Sequence, residues 1–216
     1  MEVDHYDTIN SPTEGIYKEK GSKFFSYAFP CSGIEEHKSS IELLKAMHPK
    51  SRHICYAYRL GLTGDVFRIN DDGEPSGTAG RPIYNEILSH ELSDILIAVV
   101  RYFGGTKLGA TGLIRAYKAA AYDSLTSISR VTKYITEQRL ITYPIEKMGQ
   151  LYEVLKSEGI EITISTYDPS PQLIISCRKS EIETKMQAVT AKIHGYAPDQ
   201  IDDNFESDII TIKLVL

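Results

Sequence analysis

A chain of 216 residues is long enough for one large domain or two small ones, each with a core of its own. With 42% hydrophobic and 25% charged residues its composition is globular and excludes global disorder, and no apolar run approaches the length of a membrane span. The net charge of −5 comes entirely from residues 137–216, because acids and bases balance over residues 1–136; indiscriminate coating of nucleic acid is disfavoured, while a local basic site in the first half is not.

The opening decapeptide MEVDHYDTIN is acidic and polar, without the basic-then-apolar layout of a secretory signal, so the protein is expected in the cytoplasm. Residues 15–19 and 23–31 alternate like strands around a tight turn at Lys20-Gly21-Ser22. Residues 33–48 carry Ile34, Ile41, Leu44 and Met47 at roughly helical spacing, and Pro49 stops them. Residues 53–60 alternate again, and residues 66–69 form a short strand running into the dense turn chemistry of DDGEPSG at 71–77. Ser76 or Thr78 is expected to cap a helix reaching about His90. A buried strand over 95–102 and a helix from about 109 to 128 complete a first α+β domain, with helices expected to cover one side of the sheet.

From Thr136 a second pattern begins. A strand over 139–143, a helix over 145–158 stopped by Gly159, strands over 160–167 and 173–177, a helix over 180–193 and a last strand over 209–216 give the order β-α-β-β-α-β. This is the ferredoxin-like split βαβ.

The segment ILIAVVRYFGGTKLGATGLIRAYK at 95–118 concentrates the chemistry. An unbroken apolar run breaks at Arg101, passes a glycine-rich loop and enters a helix, which presents backbone N–H groups and the positive end of a helix dipole to an anion. Arg101, Lys107, Arg115 and Lys118 surround it, and no acid occurs between Arg101 and Lys118. The loop is not a Walker A, since Ala110 stands where the lysine belongs, and it does not fit GxGxxG. Thr111, Arg115, Lys118 and Tyr122 are expected on one helical stripe, open to phosphate oxygens, with Ile114, Tyr117, Ala121, Leu125 and Ile128 packed on the sheet. For Gly104, Gly105 and Gly109 a purely conformational role stands level with anion binding; for Arg101 and Lys107 binding is preferred.

Asp71, Asp72 and Glu74 fail the register of a calcium loop, and carboxylates on such a turn serve more often as helix caps or arginine partners, with Arg81 and Arg101 at hand. Magnesium bridging to a bound phosphate is the lesser reading. The six histidines show no paired ligand spacing, Ser76 lies outside a nucleophile elbow, and Cys31, Cys55 and Cys177 are too far apart for a zinc or redox motif. Buried free thiols are expected. Tyr102 and Phe103 at the loop mouth suit either stacking on a base or packing.

KGSKF at 20–24, DDGEPSGTAGRPI at 71–83 and VVRYFGGTKLG at 99–109 resemble the IMPACT family, in particular its bacterial YigZ branch, and the likeness covers essentially the whole chain. The resemblance implies an IMPACT-type N-terminal domain over 1–136, with the left-handed βαβ fold of elongation factor G domain IV. For 137–216 it implies a domain like domain V of that factor, in agreement with the ferredoxin-like order. Eukaryotic members of that family regulate translation by competing for a partner of a stress kinase, and they place a different domain ahead of the shared one. Motif by motif, the likeness falls on Asp72, Gly73, Glu74, Arg81, Arg101, Tyr102, Gly104, Gly105 and Gly109, and it implies a catalytic role for none of them.

The expected function is that of a non-enzymatic binding protein, a translation-associated regulator. It would contact RNA, the ribosome or a translation factor through the anion-binding loop of Arg101, Gly104, Gly105, Lys107, Gly109, Arg115 and Lys118. An adaptor using the second domain's sheet face ranks next. A phosphate- or nucleotide-dependent enzyme ranks third, because phosphoryl transfer also needs metal ligands and a base, and only the phosphate cradle is persuasive. No metal, cofactor, membrane association or DNA specificity is implied.

Overall fold

The computed structural model describes residues 3–201 and 205–215. The chain divides into two units. The first is His5–Lys133, and the second holds the chain from Tyr134 onward together with Val3 and Asp4.

The first unit runs β1 (His5–Ile9), β2 (Thr13–Glu19), β3 (Ser22–Pro30), α1 (Ile34–Met47), β4 (His53–Leu60), β5 (Val66–Asn70), α2 (Gly80–Ser89), β6 (Ile95–Tyr102), α3 (Gly109–Leu125) and β7 (Arg130–Tyr134). Five strands form one sheet in the order β2-β3-β6-β4-β5, and β1 with β7 makes a separate two-stranded sheet. Every neighbouring pair of the five is antiparallel. Since β3 and β4 both oppose β6, they run parallel to one another across it, and α1 is their crossover.

The sheet is covered on both faces, not on one as expected. Ile95, Ile97 and Val99 of β6 pack with α2 and α3 in one cluster, while Leu96, Ala98 and Val100 face the α1 side in another. The unbroken apolar run follows from this double burial, and each fully buried aliphatic side chain contributes about 1.5–3 kcal/mol. Arg101 continues the odd-numbered register and so enters the α2/α3 layer instead of ending free in solvent.

The buried face of α3 is Leu113, Ala116, Tyr117, Ala120, Ala121, Ser124 and Leu125. Ile114, expected to pack on the sheet, is 43% exposed. Alanines take the inner stripe because the helix lies close against the sheet.

The second unit runs β8 (Thr136–Thr142), a 3-10 turn (Ile145–Lys147), α4 (Met148–Ser157), β9 (Glu161–Thr166), β10 (Gln172–Arg178), α5 (Ile182–His194) and β11 (Thr211–Leu214). Its sheet order, β11-β8-β10-β9, is antiparallel throughout and is the ferredoxin-like arrangement. Ile141, Leu151, Leu155, Ile175 and Val189 form the centre of its core. Gly195, in the left-handed region at φ +78°, ends α5. The expected last strand extends to Leu216, which lies outside the described residues. Among the described residues no helix is long and apolar enough to cross a membrane.

Candidate functional site

One end of the five-stranded sheet collects the family-like segments. There β6 ends and β3 and β4 begin, with Lys23 opposite Tyr102 and both Phe24 and His53 opposite Arg101. The KGS turn and the FGG loop touch directly. A Cβ on Gly104 would lie 1.9 Å from the carbonyl carbon of Gly21 and 2.1 Å from Ser22 N, so only glycine fits. The Gly104 N–H donates to Ser22 Oγ at 3.1 Å and is therefore already used within the protein. Gly105 and Gly109 have open space around them but stand at φ +87° and +72°, a conformational reason for glycine.

Arg101 is not a free cation. Its Nη1 lies 2.5 Å from Glu74 Oε1, and both side chains are buried. Tyr117 donates to the same oxygen at 2.9 Å, and the Cys55 thiol lies 3.3 Å from the Tyr117 hydroxyl. Burial, then the neighbouring Cys55 and Glu74, pushes the Tyr117 phenol up, so it stays a neutral donor. The guanidinium sits 5.5 Å from the ring centroids of both Phe24 and Phe103. Its Nε is buried without a hydrogen-bond partner.

The acidic turn is structural at two of its three carboxylates, and the third is the partner of Arg101. Asp71, not Ser76 or Thr78, caps α2: its Oδ1 accepts from Ala79 N at 3.0 Å and Gly80 N at 2.8 Å, and its Oδ2 from Gly77 N at 2.8 Å. Asp72 Oδ2 accepts from Ile54 N at 2.6 Å and ties the turn to β4. Arg81 takes none of these carboxylates; its guanidinium lies 6.0 Å from the Tyr84 ring. Among the described residues no group of three or more His, Cys, Asp or Glu side chains is placed to hold a metal ion.

The expected cationic ramp on α3 is charge-compensated. Arg115 pairs with Glu19 at the end of β2, and Lys118 Nζ lies 3.7 Å from Glu86. Arg115 is 66% exposed, so that pair is weak in energy, yet its charge is balanced. Lys107 alone of the four expected cations has no carboxylate partner among the described residues. It lines a cavity of about 340 Å³ together with Glu74, Pro75, Arg101, Phe103, Leu108 and the first turn of α3. No side chain caps that helix end, and no acid stands in its first turn.

Lys23, Phe25, Lys45, His48, Ser51 and Arg52, which sequence reasoning passed over, join Tyr102 and Phe103 at this end of the sheet. Lys23, Phe25, His48 and Tyr102 line a second hollow, of about 350 Å³, on the other side of Phe103. Lys45, His48, Ser51 and Arg52 line a third, of about 210 Å³. His48 bridges two tyrosines, with Nε2 2.7 Å from Tyr27 Oη and Nδ1 3.0 Å from Tyr102 Oη. Burial holds its imidazole below the ordinary value, against the weaker opposing pull of Glu14. The signal for these residues is positional: each flanks the same end of β3, β4 or β6.

Fold and site together define a two-unit α+β protein whose first unit presents a cationic, aromatic sheet end. Residues 20–125 match the Impact N-terminal domain. An IMPACT family member of Haemophilus influenzae is 32% identical over 181 residues, 82% of this chain and 86% of that protein. The IMPACT family member YigZ of Escherichia coli is 34% identical over 125 residues, 57% of this chain and 61% of YigZ. A crystal structure of a hypothetical protein aligns with a TM-score of 0.68 at 24% identity, over 90% of this chain and 93% of that chain, and shares the fold. The chain belongs to the IMPACT family.

Proposed function

We propose that the protein is a non-enzymatic, translation-associated binding module that holds structured RNA against the end of its five-stranded sheet. One observation carries this reading. Lys38, Arg101, Arg115, Lys118, Arg130 and Lys133 of the first unit all have carboxylate partners. Ten others have none among the described residues; of these Lys20, Lys23, Lys50, Arg52 and Lys107 flank the one sheet end that also carries Tyr102 and Phe103, and Lys18, Lys45, Arg59, Arg68 and Arg81 are the rest. Unpaired cations interleaved with aromatic rings suit phosphates and unstacked bases.

The glycine loop contributes through Lys107 and the uncapped start of α3, and Arg101 contributes from below as a buried partner of Glu74. The carboxylates that phosphoryl transfer would need for metal or base are engaged: Asp71 in capping α2, Asp72 in holding β4, Glu74 in neutralising Arg101. This supports binding over catalysis. Membership of a family that resembles translation-factor domains directs the choice of RNA toward structured, ribosomal or translation-associated species.

Ultraviolet cross-linking of the full chain to a structured RNA, followed by peptide mapping, tests the reading. Cross-links are expected at residues 20–25, 48–53 and 102–110. Cross-links confined to residues 137–216, or to the outer faces of α2 and α3, would refute it.

A further inference from the structure

We propose that the outer edge of β5 receives an extended, acidic segment of a partner protein as a sixth strand of the sheet. The two edges of this sheet, β2 and β5, are finished differently. The end of α3 closes β2: the Ile16 N–H donates to Asp123 Oδ2 at 2.8 Å, and a Cβ on Gly15 would lie 2.5 Å from Ser124 N. No main-chain bond from elsewhere reaches Phe67 or Ile69 of β5 among the described residues. Open edges are ordinarily covered or twisted away, because their free N–H and C=O groups template another strand.

The register shows which groups of β5 are free. Ile54 N donates to Asp72 Oδ2, so Ile54 turns its N–H toward the β5 side of β4. Main-chain groups alternate along a strand, so Tyr56 and Tyr58 turn the same way and bond their opposites, Asn70 and Arg68. The alternate residues, Phe67 and Ile69, direct their N–H and C=O groups away from the sheet. Outward groups at this spacing match an extended chain.

The side chains choose the occupant. Val66 and Phe67 are 52% and 49% exposed, the Phe67 ring stacks on Tyr84 of α2 at 5.0 Å, and Leu88 is exposed one turn further along that helix. An added strand therefore finds apolar surface to cover. Arg68 stands on the opposite face of β5 from Phe67, and the Arg81 guanidinium lies 6.0 Å from the Tyr84 ring centroid. Neither arginine has a carboxylate partner among the described residues. Gly80 packs against Asn70, which puts Arg81 at the end of β5 opposite Asp65. A partner strand with apolar residues at its centre and an acid toward the Asn70 end complements both cations. A second copy of this chain is the poorer fit, because antiparallel pairing of two β5 edges sets their Arg68 side chains opposite or diagonal to one another.

A random dodecapeptide library, panned against the full chain, supplies the probe, and the selected peptides are then synthesised. Selection of alternating apolar residues with at least one acid is expected. Arg68→Glu/Arg81→Glu changes two exposed side chains. This variant is expected to keep the parent melting temperature and to bind those peptides at least about tenfold more weakly. N-methylation of alternate peptide residues is expected to abolish binding in one phase of the alternation and spare it in the other. In the free chain the Phe67 and Ile69 amides are expected to exchange faster than those of Arg68 and Asn70, and to slow when peptide binds. Failure to select any peptide, or binding that ignores the double variant, overturns the proposal. Slow exchange at Phe67 and Ile69 in the free monomer overturns the open edge. Protection that grows with protein concentration, alongside a doubled mass in light scattering, assigns the edge to a second copy and overturns the acidic partner.

Discussion

Arg101 Nη1 and Glu74 Oε1 meet at 2.5 Å with both side chains buried, tying the end of β6 to the turn ahead of α2. Tyr117 adds α3 to the same carboxylate. The pair therefore pins two of the three segments that carry the family likeness, 71–83 and 99–109, to one helix.

Breaking this pair from one side leaves an uncompensated buried charge. Glu74→Gln is expected to lower the urea-unfolding free energy by about 3–5 kcal/mol, and Arg101→Met by a similar amount. The double variant Glu74→Gln/Arg101→Met is expected to lose less than the sum of the two. Strict additivity would show that the two side chains do not act as a pair.

Gly104 and Gly109 are glycines for different reasons, and substitution separates them. Gly104→Ala drives a Cβ to 1.9 Å from Gly21 backbone and is expected to cost well over ~2 kcal/mol or to prevent folding. Gly109→Ala meets no neighbour and pays only for its φ of +72°, about 1–2 kcal/mol. Thermal melts read both, and equal losses would contradict the close approach of the two loops.

His48 gives stability a pH dependence of definite sign. Burial lowers its native value below the ordinary 6.5, so the unfolded chain binds the proton first as pH falls. The His48 contribution is complete above 6.5 and is lost as pH falls below it. Tyr27 and Tyr102 bond its two nitrogens, Phe25 lies against its ring, and Lys45, Arg52 and Asp72 share its hollow. Urea unfolding across this range is expected to show falling stability that flattens in His48→Gln. An unchanged profile in that variant would assign the dependence elsewhere.

The longest elements were legible in the sequence because their patterns are local. Strand β4 at 53–60 and strand β6 at 95–102 follow from alternation and from the apolar run, and the ferredoxin-like order follows from six well-spaced segments. The double coverage of β6 was written in the same run, since a strand buried on one face alternates and this one does not. Strands β1 and β7 escaped notice because β7 is exposed along its whole length. They are held by distant partners, Arg130 and Thr132 on Asp7. The site is less legible for the same reason. The carboxylates that neutralise Arg101 and Arg115 lie 27 and 96 residues away, so four cations in one segment read as a cradle when only Lys107 stays unpaired. Lys23 and Arg52 sit in ordinary local contexts and gain meaning only where β3, β4 and β6 end together.

Cys31, Cys55 and Cys177 are free and buried. Burial raises all three thiols, Cys31 to about 11, so little reactive thiolate forms near neutrality. An aromatic disulfide reagent is expected to modify none of them in the native protein and all of them in urea. Rapid labelling of Cys55 in the folded state would contradict the buried Cys55–Tyr117–Glu74 chain.

The most direct test of the cationic sheet end is the salt dependence of RNA affinity in the full chain. The slope of log affinity against log salt is expected to fall by about 2 in Lys23→Ala/Arg52→Ala/Lys107→Ala, at roughly 0.7–0.9 per lost phosphate contact. In Arg115→Ala/Lys118→Ala, whose charges Glu19 and Glu86 balance, it is expected to stay near the parent value. Equal slopes for the triple variant and the parent, or a loss carried by the α3 pair, would contradict the account.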